Sequence, residues 1–299
     1  MAPSASKDSL RNLYQISIYK RKLSFINRVI LGILGGIYLS FGNFIGGSIA
    51  TVYYDESPGT AKLLYCCLFP IGLILIVFGQ ADLFTSNCMI VFIGVYNDYI
   101  KKRKNKIIND KYHLCDVINV LYNSWLWNFI GSLIISYFIA YHGEYLQSNN
   151  YYVTMIHKKL LLSNKAVFLR SIGANWLVCL AVFLANGTKN NIEKVIFIFL
   201  PIATFVGIGF EHSVANMFSF PCAILSNIDK DITWYAFFSK NIFLCTLGNI
   251  FGGIICGLFY LILNNDMDID MDELETSEDK KMISNNNNDD IENPIHHHD

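Results

Sequence analysis

Six apolar runs divide this chain, and polar residues interrupt two of them where hydrocarbon would be expected. The unbroken runs cover residues 29–50, 117–141, 166–185 and 242–263. Each supplies the roughly 20 apolar residues that a helix needs to cross a bilayer core. The second run starts near Leu63 and stays apolar to Gly79. It breaks at Gln80-Ala81-Asp82-Leu83-Phe84-Thr85-Ser86-Asn87, then resumes over 88–95. The fifth is apolar over 195–206, breaks around Gly207-Ile208-Gly209-Phe210-Glu211-His212-Ser213, and resumes over 214–225. An ionised side chain at membrane depth costs about 3 kcal/mol on insertion scales. Irregular backbone persists there only inside protein or beside a polar cavity. The pattern predicts an all-α integral membrane protein of six spans, the second and fifth broken, with the breaks aimed at a transport path.

The two halves share an order of residues. Asp82-x4-Asn87 in the second run matches Glu211-x4-Asn216 in the fifth, and Pro70 and Pro201 each precede their acid. Asn128-Phe129-Ile130-Gly131 in the third run matches Asn249-Ile250-Phe251-Gly252 in the sixth. Three spans per half is an odd number, so the copies insert with opposite orientation. Inverted repeats with broken helices place a binding site near the midplane, between the halves.

Composition agrees. Of 299 residues, 53% are hydrophobic and only 16% charged, against about 25% in soluble domains. Net charge is −1, yet residues 264–299 hold twelve of the twenty-four acids. That tail has no apolar period and an Asn run, and is expected to be disordered. Three parts follow: a basic N-terminal segment (1–28), a six-span domain (29–263) and the acidic tail (264–299). The first segment lacks the apolar centre of a cleavable signal.

Positive loops stay cytoplasmic. Lys20, Arg21, Lys22 and Arg28 therefore put the N-terminus inside, and six crossings return the tail inside. Lys101, Lys102, Arg103, Lys104, Lys106 and Lys111 also fall inside. Lys158, Lys159 and Lys165 fall outside, against the rule. The Asn186-Gly187-Thr188 sequon falls inside and is expected to carry no glycan. Cys66, Cys67, Cys88, Cys179, Cys222, Cys245 and Cys256 lie in or beside apolar runs and read as small buried hydrophobes. His296–His298 in the tail reads as inert. No metal-ligand spacing, cofactor motif or nucleic-acid partner is indicated.

Three stretches point to a family. Gly209-Phe210-Glu211-His212-Ser213-Val214-Ala215-Asn216-Met217 resembles the signature of formate/nitrite transporters. Asp82-Leu83-Phe84-Thr85-Ser86-Asn87 is similar to that family's other broken-helix motif, and Asn175-Trp176-Leu177-Val178-Cys179-Leu180-Ala181-Val182 to its fourth-span motif. The resemblance implies an aquaporin-like fold and a homopentamer with one pore per protomer. It implies proton-linked passage of small monovalent anions: formate, nitrite and, in eukaryotic members, lactate and related monocarboxylates. It also implies roles. His212 resembles the central pore histidine and is expected to relay or donate the proton midway. Thr85 resembles the hydroxyl opposite it, and Asn175 the amide that orients the ring. Lys159 stands at the spacing of the family's lysine, so the outside cations form an anion funnel. Lys22 or Arg21 matches the N-terminal pore cation. Phe69, Leu73, Val178 and Phe205 match the apolar constrictions. Asp82, Asn87, Glu211 and Asn216 support the breaks. The host is expected to be the plasma membrane.

Three other readings compete. A neutral-solute channel of aquaporin type would carry paired Asn-Pro-Ala motifs, which are absent. A membrane enzyme using Glu211 and His212 would need a nucleophile or metal set, and none is visible. A purely structural membrane protein has no use for buried polar breaks.

Overall fold

The computed structural model describes residues 4–103, 112–146 and 150–264. The lysine-rich loop from Lys104 to Lys111 and the acidic tail beyond Asn264 lie outside the described residues, as do the side chains of Lys101, Lys102 and Arg103. The described chain is helical, with no strand assigned: α1 (Ser4–Lys22), α2 (Phe25–Tyr54), α3 (Pro58–Leu68), α4 (Ile71–Phe78), α5 (Phe84–Arg103), α6 (Leu114–Ile134), α7 (Asn150–Leu160), α8 (Asn164–Ala185), α9 (Asn191–Ile208), α10 (Ser213–Ser226), α11 (Trp234–Ala236) and α12 (Phe243–Leu263). Wider π-type turns extend α6 through Ile135–Tyr141 and join α11 to α12 through Phe237–Ile242. Six segments among the described residues are long and apolar enough to span a membrane: Phe25–Tyr54, Pro58–Phe78, Leu114–Tyr141, Asn164–Ala185, Asn191–Ile208 and Trp234–Leu263. The second and fifth are each followed by a break and a further helix, α5 and α10.

The basic N-terminal segment is more ordered than its composition suggests. It forms α1, whose Ser9, Leu10, Leu13, Tyr14 and Ser17 are buried along one helical face. Arg28 closes the turn after it, donating to the carbonyls of Leu23 (3.1 Å) and Arg21 (2.6 Å). Ser24 then caps α2 by accepting from the Asn27 N–H. Tyr112 clamps α1 from outside the spans: its N–H donates to Asp98 (2.6 Å) and its hydroxyl to the Ser17 carbonyl (2.5 Å). Burial pushes the Tyr112 phenol up to about 12, so it stays protonated and keeps donating. Asn12 donates to the Asn186 carbonyl, which places the sequon beside α1.

Each half is drawn together by one Asn-x-x-Gly. A Cβ on Gly131 would lie 2.2 Å from the Ile33 carbonyl, and one on Gly252 would lie 2.4 Å from the Ile172 carbonyl. Only glycine permits α6 to touch α2, and α12 to touch α8, at those points. The cysteines correct one expectation. Cys67 is exposed, because it lies on the outer face of α3, whereas Cys66, Cys88, Cys179, Cys222, Cys245 and Cys256 are buried.

Candidate functional site

The breaks are built alike. Each turns through a left-handed residue two positions before its carboxylate: Gln80 (φ 53°) before Asp82, and Gly209 (φ 84°) before Glu211. Breaking a helix strands N–H and carbonyl groups that must find partners when buried. Asn128 and Asn249 supply them. The Asn128 amide donates to the carbonyls of Gly32 (2.8 Å) and Asp82 (2.7 Å), and its oxygen accepts from the Phe84 N–H (2.8 Å). The Asn249 amide donates to the carbonyls of Ser171 (2.8 Å) and Glu211 (3.1 Å), and its oxygen accepts from the Ser213 N–H (2.8 Å). Asn87 then donates to Asp82 (3.0 Å), and Asn216 to Glu211 (2.8 Å).

A lysine answers each carboxylate. Lys159 on α7 donates to Glu211 Oε1 at 2.7 Å, and Lys20 on α1 pairs with Asp82. The cation that pairs with the carboxylate of the first break is Lys20, whereas the resemblance pointed to Lys22 or Arg21 as the N-terminal cation. Lys20 follows Ser17 by three residues, so it shares the buried face of α1. Arg21 instead sits over the Tyr112 ring, 4.8 Å from its centroid. Lys20→Gln is expected to reduce anion flux at least about tenfold more than Lys22→Gln, since a cation at a pore mouth raises encounter rates by roughly 10-fold or more. Initial uptake rates of the two variants compare them directly.

Beyond the breaks, α5 and α10 bring their N-termini together. His212 is the cap residue of α10, and its Nε2 lies 3.0 Å from Thr85 Oγ1 in the first turn of α5. The Ala215 N–H donates to His212 Nδ1 at 3.1 Å. A backbone N–H only donates, so Nδ1 carries no proton. The neutral ring then holds its proton on Nε2 and offers it to Thr85. The two breaks do not lie at one depth. The Asp82 N–H bonds the Leu31 carbonyl and the Glu211 N–H the Arg170 carbonyl, each in the second turn of the first span of its half. Each carboxylate thus sits towards its own mouth, and only Thr85 and His212 meet between them.

The Asn175 amide makes no hydrogen bond to the imidazole it was expected to orient. It donates to the carbonyls of Thr85 (3.0 Å) and Asn249 (2.6 Å). Those bonds hold the peptide that presents Thr85, while Ala215 and Thr85 fix the ring. Asn43, which the sequence reading passed over, mirrors it by donating to the Ala215 carbonyl (3.1 Å). The first span of each half therefore laces to the inner helix of the other. Asn241 was also missed. The π-type turn carries it inward, where it donates to Glu211 (3.0 Å) and accepts from Asn216 (2.7 Å).

A cavity of about 500 Å³ opens on the Lys159 side and ends at Phe69, Phe205 and His212. The rings of Phe69 and Phe205 meet edge to face at 5.7 Å, and Phe205 stacks on His212 at 5.6 Å. Leu73 and Val178 are buried but do not line this cavity. Of the expected funnel, Lys158 and Lys159 line it and Lys165 does not; Lys62 and Arg170 do so instead.

A family model described as "Formate/nitrite transporter" matches residues 7–262. A "Probable formate transporter" of Methanothermobacter thermautotrophicus is 33% identical over 269 residues, covering 83% of this chain and 92% of that protein. "Formate channel FocA" of Escherichia coli (strain K12) is 30% identical over 272 residues, covering 83% and 90%. Among solved structures, an "FNT family ion channel" superposes with a TM-score of 0.76 at 22% identity, over 86% of this chain and 98% of that one. A "Pentameric formate channel with formate bound" gives 0.66 at 25% identity, over 79% and 96%.

Proposed function

This chain belongs to the formate/nitrite transporter family, and from that premise we propose that it carries small monovalent carboxylates, formate first and lactate-sized acids with it, in company with a proton. The observation that carries the proposal is the meeting of two helix N-termini at His212 and Thr85, with a lysine–carboxylate pair towards each mouth. Helix N-termini favour negative charge. Their facing arrangement suits an anion, or a carboxyl oxygen, more than a cation. The relatives named as formate channels support the substrate class, and the pentameric neighbour supports a homopentamer.

A bare carboxylate in an apolar passage is costly, and acids usually neutralise instead. In the proposed sequence the lysine draws the anion in, and the acid takes a proton as its surroundings lose polarity. The neutral molecule then slips between Phe69 and Phe205. His212 meets it as a hydrogen-bonding group. Charging that ring would require Nδ1 to release the Ala215 N–H, at the positive end of α10. The proton accordingly comes with the acid from the aqueous side. The host is proposed to be the plasma membrane, with both termini cytoplasmic, so the Lys159 mouth faces out.

Formate uptake into proteoliposomes is expected to climb as the pH on the entry side falls from 8 to 5, while proton uptake accompanies it. His212→Phe is expected to lower uptake by about 100-fold, the effect of losing a preorganised polar contact in a dry site. Uptake that ignored pH in the native protein would exclude proton linkage. Native-like uptake in His212→Phe would remove the imidazole from the passage.

A further inference from the structure

The Lys159-side cavity is much larger than a formate-sized acid requires. Its 500 Å³ falls in the range of pockets that hold drug-sized ligands, roughly 300–1,000 Å³. Its wall is also more specific than an apolar funnel requires. Rings follow one another from the rim to the floor: Tyr54 to Tyr151 (5.8 Å), Tyr151 to Tyr65 (5.2 Å), Tyr65 to Phe69 (5.8 Å), then Phe69 to Phe205 and on to His212. Cations stand at two levels. Lys62 and Lys158 are exposed at the rim, and Lys159 lies deeper with its side chain 15% exposed. Glu211 takes one hydrogen of Lys159, which leaves two donors for an incoming anion. Asp55 and Glu56, which follow Tyr54, do not line the cavity.

We propose that this cavity is a binding site for aromatic dicarboxylates, which enter it, cannot pass its floor and so block the pore from one face. One carboxylate meets Lys159, the ring lies along the tyrosines, and the second carboxylate meets the rim lysines. The floor stops the ligand for two reasons. Phe69 and Phe205 are each only 2% exposed and in contact, so a rigid ring finds no opening between them. A second carboxylate also doubles the cost of entering the apolar passage. This site rests on the transport reading for its effect on flux, but binding itself does not depend on that reading.

Isophthalate, applied to one face at a time, is the probe. Labelled formate uptake reports block, and calorimetry on the purified full-length protein reports binding. Block competitive with formate is expected only from the Lys159 face. Cyclohexane-1,3-dicarboxylate, with the same charges and no π-face, is expected to bind roughly three- to tenfold more weakly. Tyr54→Leu and Lys62→Gln are each expected to raise the inhibition constant about fivefold relative to the formate KM of the same variant, with Tyr54→Phe restoring it. Equal block from both faces, no preference for the aromatic ring, or formate uptake without isophthalate binding would overturn the site. If formate uptake were itself absent, the transport reading would fail. Calorimetry would then decide the site alone: binding weakened by Tyr54→Leu and Lys62→Gln upholds it, and no binding overturns it.

Discussion

Asn249→Ala and Asn128→Ala are expected to destabilise the protein equally, by on the order of 2–6 kcal/mol each. Each amide satisfies an N–H and a carbonyl that a broken helix leaves orphaned, plus a carbonyl of a neighbouring span. Both side chains are fully buried, so no water replaces them. An unpaired buried donor or acceptor costs about 1–3 kcal/mol, and each substitution leaves at least two. Leu247→Ala on the exposed side of α12 is the control, expected within about 1 kcal/mol of the native protein. Thermal unfolding in detergent measures all three. If the two asparagine variants unfold with the control, the breaks are held by something else. If only one is damaged, the halves are not mechanically equivalent.

That equivalence was partly legible in the sequence. Polar residues inside apolar runs gave the breaks, because lipid tolerates them nowhere else. The Asn-x-x-Gly pairs marked where two spans touch. What the amides bond was not legible, since spacing along a helix fixes a side chain's face but not its partner. Asn175 is the clearest case: its hydrogen bonds go to the Thr85 and Asn249 carbonyls. Lys20 was missed for a different reason. A match to Lys22 or Arg21 along the sequence carries no information on which face of a helix the cation takes, and the chain ends one helix at Lys22 and starts another at Phe25. Helix α1 also hid in its composition, because serines occupy part of its buried face. Asn241 gave no signal at all; only the π-type turn at Phe237–Ile242 carries it to Glu211.

Lys159→Met is expected to damage both stability and transport, and a second substitution should separate the two. Glu211 is 1% exposed, and its one cationic partner among the described residues is Lys159. Removing one member of a buried pair costs about 3–5 kcal/mol, because the remaining charge lies uncompensated. Asn216 and Asn241 still donate to Glu211 Oε2 and soften the loss without cancelling it. In Lys159→Met/Glu211→Gln the neutral amide oxygen accepts those same two hydrogen bonds, and no buried charge remains. Stability is therefore expected to return to within about 2 kcal/mol of the native protein, as when a buried pair is replaced whole. Formate uptake is expected to stay at least tenfold low, since the cation that gathers anions at this mouth is still missing. Recovery of uptake together with stability would mean that Lys159 serves only to balance Glu211. Low uptake in a well-folded double variant would assign the ammonium a direct part in drawing the anion in, with the carboxylate as the anchor that holds it at the break.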